Sequence, residues 1–212
     1  MRQPLIFYSF VEDVLTRKVV IRLFSRLKAK FPFVSLADGN PVVTQGNGRL
    51  KEKAQKFRDA AQFGIDSLLV TDLDAWATPN DLGRDWFGVL CLSELPDGFI
   101  FRVAVREIES WILADKDGLA RYLLISPDSF PDNSDAIPDP KQFLLNLVAA
   151  KCSKKRFREM LPLKGQKIGI GYNPVLSDFV DNLWDIDQAI FRSSSLKRAI
   201  EKMTSFIESK EG

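Results

Sequence analysis

Histidine is absent from this chain of 212 residues. That gap removes Ser-His-Asp and Cys-His catalysis, His-ligated zinc and HNH-type nucleases from consideration. Acid–base or metal chemistry must run on carboxylates, lysine, tyrosine or bound water. Cysteine is nearly as scarce: Cys91 and Cys152 stand alone, with no CxxC spacing, which excludes zinc ribbons and thioredoxin-type chemistry. No run approaches the ~18 apolar residues of a membrane span. The apolar stretch in "MRQPLIFYSFVEDV" covers about seven residues and turns acidic at once, too short for a signal peptide. Net charge is only +2, so no global basic field draws in nucleic acid, and such a partner has to be met by a local patch. These absences predict a soluble cytoplasmic protein with no membrane association.

What is present is ordinary globular material, 45% apolar and 27% charged. Strand-like and helix-like segments alternate over the first 125 residues. Strands are expected at 4–11, 32–37, 65–74 and 98–105. Helices are expected at 14–31, where Leu15, Val19, Leu23 and Leu27 recur every four residues, at about 49–63, from Pro79 onward, and over 106–124. The first strand is continuously apolar, as if buried on both faces. This alternation predicts an α/β fold with a largely parallel four-stranded sheet flanked by helices. The segment 126–140 holds four of the eleven prolines and several aspartates, and reads as a linker. Beyond it lie short helical stretches at 140–151, 154–161, 174–184 and 194–209. The expected organisation is an α/β core over 1–125, with a linker and helical extension over 126–212 packed on that core.

The chemistry-bearing residues are acids at strand ends. Asp72 and Asp74 close the third expected strand, and Glu12 and Asp13 close the first. Two residues at i and i+2 of an extended segment share a face about 7 Å apart. Ligands of open α/β sheets bind outside the carboxyl ends of the strands. Each acid alone is most simply read as a turn residue or helix cap, and it is their conjunction that points to a ligand set. Converging carboxylates repel, and a cation holds them ionised together. Hard oxygen donors suit Mg²⁺ or Mn²⁺. Glu107 and Glu109 follow the fourth expected strand. Either they are first-turn acids favoured by the helix dipole, or Glu109 is a further ligand or the orienter of Arg106. Asp115 reads as a cap before "KDG".

Basic features are local. "QGNGRLKEKAQK" puts a glycine-rich turn before a helix, which reads either as a plain loop with a solvated helix or as a secondary phosphate contact with Arg49 and Lys51, and it lacks the Walker A spacing. "KCSKKRFREMLPLKGQK" (151–167) holds seven basic residues against one acid, among them Lys154, Lys155 and Arg156. It suits a phosphate backbone or simply a solvated surface. Ser193 to Ser195 precede a helix as N-caps do, Tyr172-Asn173-Pro174 reads as a turn entering a helix, and the four tryptophans read as packing residues.

"FYSFVEDVLTRKVV" followed by "LLVTDLDA" resembles the TOPRIM fold of topoisomerases, bacterial primases and OLD-family nucleases. That fold carries a glutamate after the first strand and a DxD after the third, together holding Mg²⁺. The resemblance places Glu12, Asp72 and Asp74 in those roles. Asp13 stands where the usual pattern has glycine, and Thr16 where OLD-type members often have an acid. "VAVREIESWILADKDGLARYL", "PDPKQFLLNL", "GYNPVL" and "SSSLKRAI" are similar to a bacterial family of small TOPRIM-like proteins of unknown function. Genes of that family typically lie beside those of AAA/ABC-type ATPases in anti-phage defence loci. The resemblance implies a Mg²⁺-dependent phosphodiesterase, most simply a nuclease working with an ATPase partner on DNA or RNA. Glu12, Asp72, Asp74 and Glu109 would be catalytic, with Asp13 or Glu109 completing the metal shell. The alternative is a TOPRIM-like subunit without catalysis that regulates the ATPase.

Overall fold

The structure, a computed structural model, describes residues 3–211. Its contacts divide the chain into two units. The first runs to Ala104 and takes back the chain from Arg198 onward; the second spans Val105–Lys197. The division therefore differs from the expected break after 125. The helical residues 106–124 cluster with the later helices rather than with the sheet, and the end of the chain clusters with the sheet.

In the first unit, β1 (Leu5–Val11) leads into α1 (Val14–Lys30). Asp13 caps α1, its carboxylate accepting the Thr16 amide at 2.8 Å. Leu15, Val19, Leu23 and Leu27, one i, i+4 row, are all buried. The last turn carries Lys28 and Lys30, which complement the helix dipole. Then follow β2 (Val34–Leu36), β3 (Val42–Val43), α2 (Asn47–Ala61), β4 (Ser67–Asp72), α3 (Pro79–Phe87) and β5 (Phe99–Ala104).

All the strand pairings are parallel, in the order β2-β1-β4-β5, with β3 also on β1. The α/β class and the parallel sheet are as expected, but the sheet has five strands rather than four. The extra one, β3, is two residues long, too short to leave a periodic signal. β2 pairs with Leu5–Phe7 and β3 with Phe10 and Val11, so the two short strands share one edge of β1.

Aromatic side chains fill both faces of the sheet. Phe7 lies edge-on to Phe24 of α1 at 5.6 Å and to Phe206, near the end of the chain, at 5.7 Å. Phe10 packs on Phe57 of α2 at 4.3 Å, and Phe87 of α3 meets Phe99 and Phe101 edge-on. Burying a Phe side chain contributes about 1.5–3 kcal/mol. β1 is not buried on both faces throughout. Ile6 and Tyr8 are exposed, whereas Phe7 and the last three residues are buried.

In the second unit the expected helix over 106–124 is two, α4 (Ile108–Leu113) and α5 (Lys116–Leu123). The break is made by Asp115, the expected cap. It accepts the amides of Gly118 at 3.0 Å and Asp185 at 2.8 Å. Only glycine fits at 118, because a Cβ there would run into that carboxylate. α6 (Pro140–Lys151) opens with Pro140 behind the Asp139 cap, and α7 (Lys155–Arg158) is a single turn. α8 (Tyr172–Asn182) and α9 (Ile186–Ala189) follow, and α10 (Ser194–Ser209) closes the chain, with the contact division falling after Lys197. Among the described residues, no helix is long and apolar enough to cross a membrane.

The proline-rich segment is largely irregular, but it supplies Asp135, which organises the start of α10. Its carboxylate accepts the hydroxyls of Ser193 (2.7 Å), Ser194 (3.1 Å) and Ser195 (3.0 Å) and the Ser195 amide (2.7 Å). Ser193 in turn caps the Leu196 amide, and Ser195 accepts the buried Trp111 indole N–H at 2.7 Å. Removing Asp135 would leave buried donors without a partner. Asp135→Ala is expected to lower stability by about 2–3 kcal/mol, read as a fall in the urea midpoint at constant slope. An unchanged midpoint would show that the cap carries no stability.

Candidate active site at the carboxyl end of the sheet

The order β2-β1-β4-β5 reverses direction at β1: the chain leaves β1 toward β2 on one side and later returns to β4 on the other. The carboxyl ends of β1 and β4 therefore flank the switch point, where α/β sheets leave a crevice for ligands. Phe10 is in register with Leu69. Continuing that register puts Glu12 level with Thr71, one residue short of Asp72, across a strand spacing of about 4.8 Å. Both Glu12 and Asp72 are half-buried.

On its other side, Glu12 is fastened to the segment leading into α2. Its carbonyl accepts the Gln45 amide at 3.2 Å, and the Val11 carbonyl accepts both the amide and the hydroxyl of Thr44. Gln45 has φ +56 and Gly46 φ +125, a backbone path that favours glycine at 46. This path turns the chain into α2 with Asn47 as its first residue. Asp74 also departs from the expected pattern. β4 stops at Asp72, and Asp74 lies in a turn with φ +49, so the two acids do not follow an extended i, i+2 spacing. That turn is pinned by Leu73, whose amide donates to Ala104 of β5 at 2.9 Å and whose carbonyl accepts the Trp76 amide at 3.1 Å. The Asp74 carboxylate consequently reaches the Asn47 side-chain amide, at 3.4 Å. Glu12, Asp72, Asp74 and Asn47 thus belong to one sheet end. Asn47 belongs to no motif in the sequence; the signal for it is its place directly after the glycine of a turn that enters a helix.

Asp13 shows the helix-cap alternative of the two readings open to it. It is the α1 cap, because the Thr16 amide, lacking a partner in the helix's first turn, takes its carboxylate. Among the basic candidates, Arg49 is exposed in the first turn of α2, where no side chain caps the helix amides. Lys51 is committed to an ion pair with Asp85 at 2.9 Å. Lys154, Lys155 and Arg156 lie in the second unit. The two lysines are exposed, whereas the Arg156 guanidinium stacks over Phe157 at 4.5 Å and Tyr122 at 4.8 Å.

Glu109 also belongs to the second unit, and it is 2% exposed. It accepts the Tyr172 hydroxyl at 2.8 Å and lies 3.5 Å from the Lys141 ammonium. Lys141 is shared with Glu107, which also accepts the Lys141 backbone amide at the start of α6. The second oxygen of Glu109 is buried without a hydrogen-bond partner. Burial pushes the Glu109 carboxyl above its ordinary value, Lys141 opposes that shift, and the neighbouring Glu107 adds to it.

The donors at the sheet end are carboxylate oxygens, which fit a hard divalent ion in chemistry and in backbone placement. Among the described residues, no three acids, cysteines or histidines stand close enough together to hold an ion as they are. Gathering the acids requires side-chain rotation, which is fast for half-exposed groups. Comparisons with protein-family models, with curated proteins and with solved structures give no match.

Glu109 holds its proton more tightly in the folded chain than in the unfolded one. Its contribution to stability is therefore complete below the ordinary glutamate value of 4.5 and declines as pH rises above it. Glu109→Gln, which cannot ionise, is expected to gain in melting temperature relative to the parent between pH 5 and about pH 8. A constant difference across that range would mean that Glu109 titrates as an ordinary surface acid.

Proposed function

We propose that the protein is a divalent-metal-dependent phosphodiesterase acting on nucleic acid, with its reactive centre at the β1/β4 switch point. The observation that carries this reading is the direct parallel pairing of β1 with β4, which brings Glu12 and Asp72 to the same sheet end with Asp74 beside Asn47. Glu12, Asp72 and Asp74 would hold Mg²⁺ or Mn²⁺. The ion would supply Lewis-acid stabilisation of charge at the scissile phosphate and a reactive water at neutral pH.

The chain's own groups do the rest. The uncapped first turn of α2 directs backbone N–H groups and a partial positive charge at the substrate phosphate, and Arg49 adds a full charge there. Asn47 orients Asp74 without neutralising it, because an amide carries no net charge. Glu109, buried in the second unit against Tyr172 and Lys141, is a positioning group for α4, α6 and α8 rather than one that touches substrate. The similarity to proteins encoded beside AAA/ABC-type ATPases supports such an ATPase as the partner that restrains or releases the activity. Lys154 and Lys155 are candidates for tracking a phosphate backbone.

One observation favours a second reading, a binding subunit without catalysis: no three potential ligands stand gathered among the described residues. The two readings separate on the acids. With Mg²⁺ or Mn²⁺, the parent is expected to cleave DNA or RNA, and the metal should raise its melting temperature because it binds the folded state alone. Asp72→Ala and Glu12→Gln should each lose cleavage by about a hundredfold or more, roughly the loss expected on removing a transition-state-stabilising group. The metal-induced rise should disappear in Asp72→Ala. Equal cleavage and equal metal response in parent and variants would end the enzymatic reading.

A further inference from the structure

Three of the four tryptophans are the packing residues expected from sequence: Trp86, Trp111 and Trp184 are 3%, 0% and 1% exposed. Trp76 is 37% exposed. It stands at the end of the Leu73–Trp76 turn, two residues beyond Asp74, held there by its amide on the Leu73 carbonyl while Leu73 itself is buried. The indole thus stands at a rim, on a turn whose backbone is anchored to the ends of two strands.

The indole borders a cleft of about 530 Å³, lined by Ala75, Trp76 and Ala77 on one side and Asp81, Arg84 and Asp85 of α3 on the other. That volume is in the range of small-molecule sites. The α3 residues sit at i, i+3 and i+4, so one helix face forms the wall. Asp81 accepts the Thr78 hydroxyl at 2.7 Å and pairs with Arg84 at 3.3 Å; Asp85 pairs with Lys51 at 2.9 Å. The wall's two carboxylates are balanced by Arg84 and Lys51 and leave no net charge to draw in a phosphate. They suit a neutral planar group with N–H donors at its edge and a π-face for the indole. A nucleobase has both, and only an unpaired base can offer its face and edge together. Two residues of chain span at most about 7 Å, so a base on Trp76 belongs to a nucleotide whose phosphate lies near Asp74.

We propose that the cleft between Trp76 and the Asp81–Asp85 face of α3 binds an unpaired nucleobase stacked on Trp76, making single-stranded nucleic acid, not duplex, the substrate class. This rests on the phosphodiesterase reading for what happens to the strand afterwards; the binding itself needs no metal.

The test separates the two. Because the other tryptophans are buried, quenching of intrinsic fluorescence reports on Trp76. With EDTA present, a 12-residue single strand, as DNA and as RNA, should quench the parent, and the annealed duplex should not. Affinity for a labelled strand, read by anisotropy, should fall about tenfold in Trp76→Leu, in line with the loss of one base–aromatic stack. It should return most of the way in Trp76→Phe. Melting temperatures should match the parent's in both variants, since the side chain is partly exposed and its removal leaves no core cavity. Asp72→Ala should keep the quench even where it loses cleavage. Quenching without cleavage in any metal would support the base site while removing the phosphodiesterase reading. Cleavage that depends on Asp72, with no single-strand quench or with equal affinity in Trp76→Leu, would overturn the base site and leave the enzyme standing. A preference for DNA over RNA, or the reverse, would assign the sugar and equally support the stacking. Stronger quenching by duplex than by single strand would overturn it.

Discussion

Parallel pairing of β1 with β4 is the contact on which the first unit depends. β1 has neighbours along both edges, β2 and then β3 on one and β4 on the other, and β4 in turn carries β5. Because parallel strands cannot be joined by tight turns, each connection must cross a face of the sheet, and the helices that do so bury Phe7 on one face and Phe10 on the other. The reversal of winding at β1 then leaves the carboxyl ends of β1 and β4 without a crossover running over them. Glu12 and Asp72 occupy the opening as a consequence of topology, and the turns after them fill in the surroundings. One turn runs through Gln45 and Gly46 to bring in Asn47. The other runs through Asp74 to bring in Trp76.

The second unit is organised around buried polar groups rather than a sheet. Asp115, Asp135 and Glu109 each take hydrogen bonds from segments distant in sequence: Asp185, the serines before α10, and Tyr172 respectively. Short helices have few intrahelical bonds per end to satisfy, so a unit built from them has many orphan amides. Carboxylates that cap two ends at once meet that need. The same arrangement makes the unit responsive to charge. Asp115 and Glu109 are both pushed upward by burial, so folding favours their protonated forms, and ionising them as pH rises costs stability.

Much of this was legible in the sequence because it rests on local rules. The i, i+4 row of α1, the Pro140 and Pro79 helix starts, the Asp115 cap and the serine cap before α10 are all decided within a few residues, and the structure has them where the pattern puts them. What was not legible depends on partners far away in the chain. β3 is a strand only because β1 offers it an edge. The helix over 106–124 breaks because Asp185 and Gly118 claim the same carboxylate. Asp74 leaves the extended path because Leu73 is held by β5. Asn47 and the exposure of Trp76 follow from those same turns, so periodicity carried no trace of either.

The absence of histidine bears on how such a site responds to pH. Carboxylates titrate near 4 and histidine near 6.5, so a ligand set of acids alone is already ionised throughout the physiological range. Charge at the sheet end is divided in space as well. The carboxylates follow the strands, the first amides of α2 and Arg49 stand beside them, and the paired acids of α3 border Trp76. A phosphodiester strand carries the matching alternation of anionic phosphates and neutral bases. Seating the phosphate at α2 and the cation would leave the base to meet the indole, and each part of the strand would find the neighbour its charge requires.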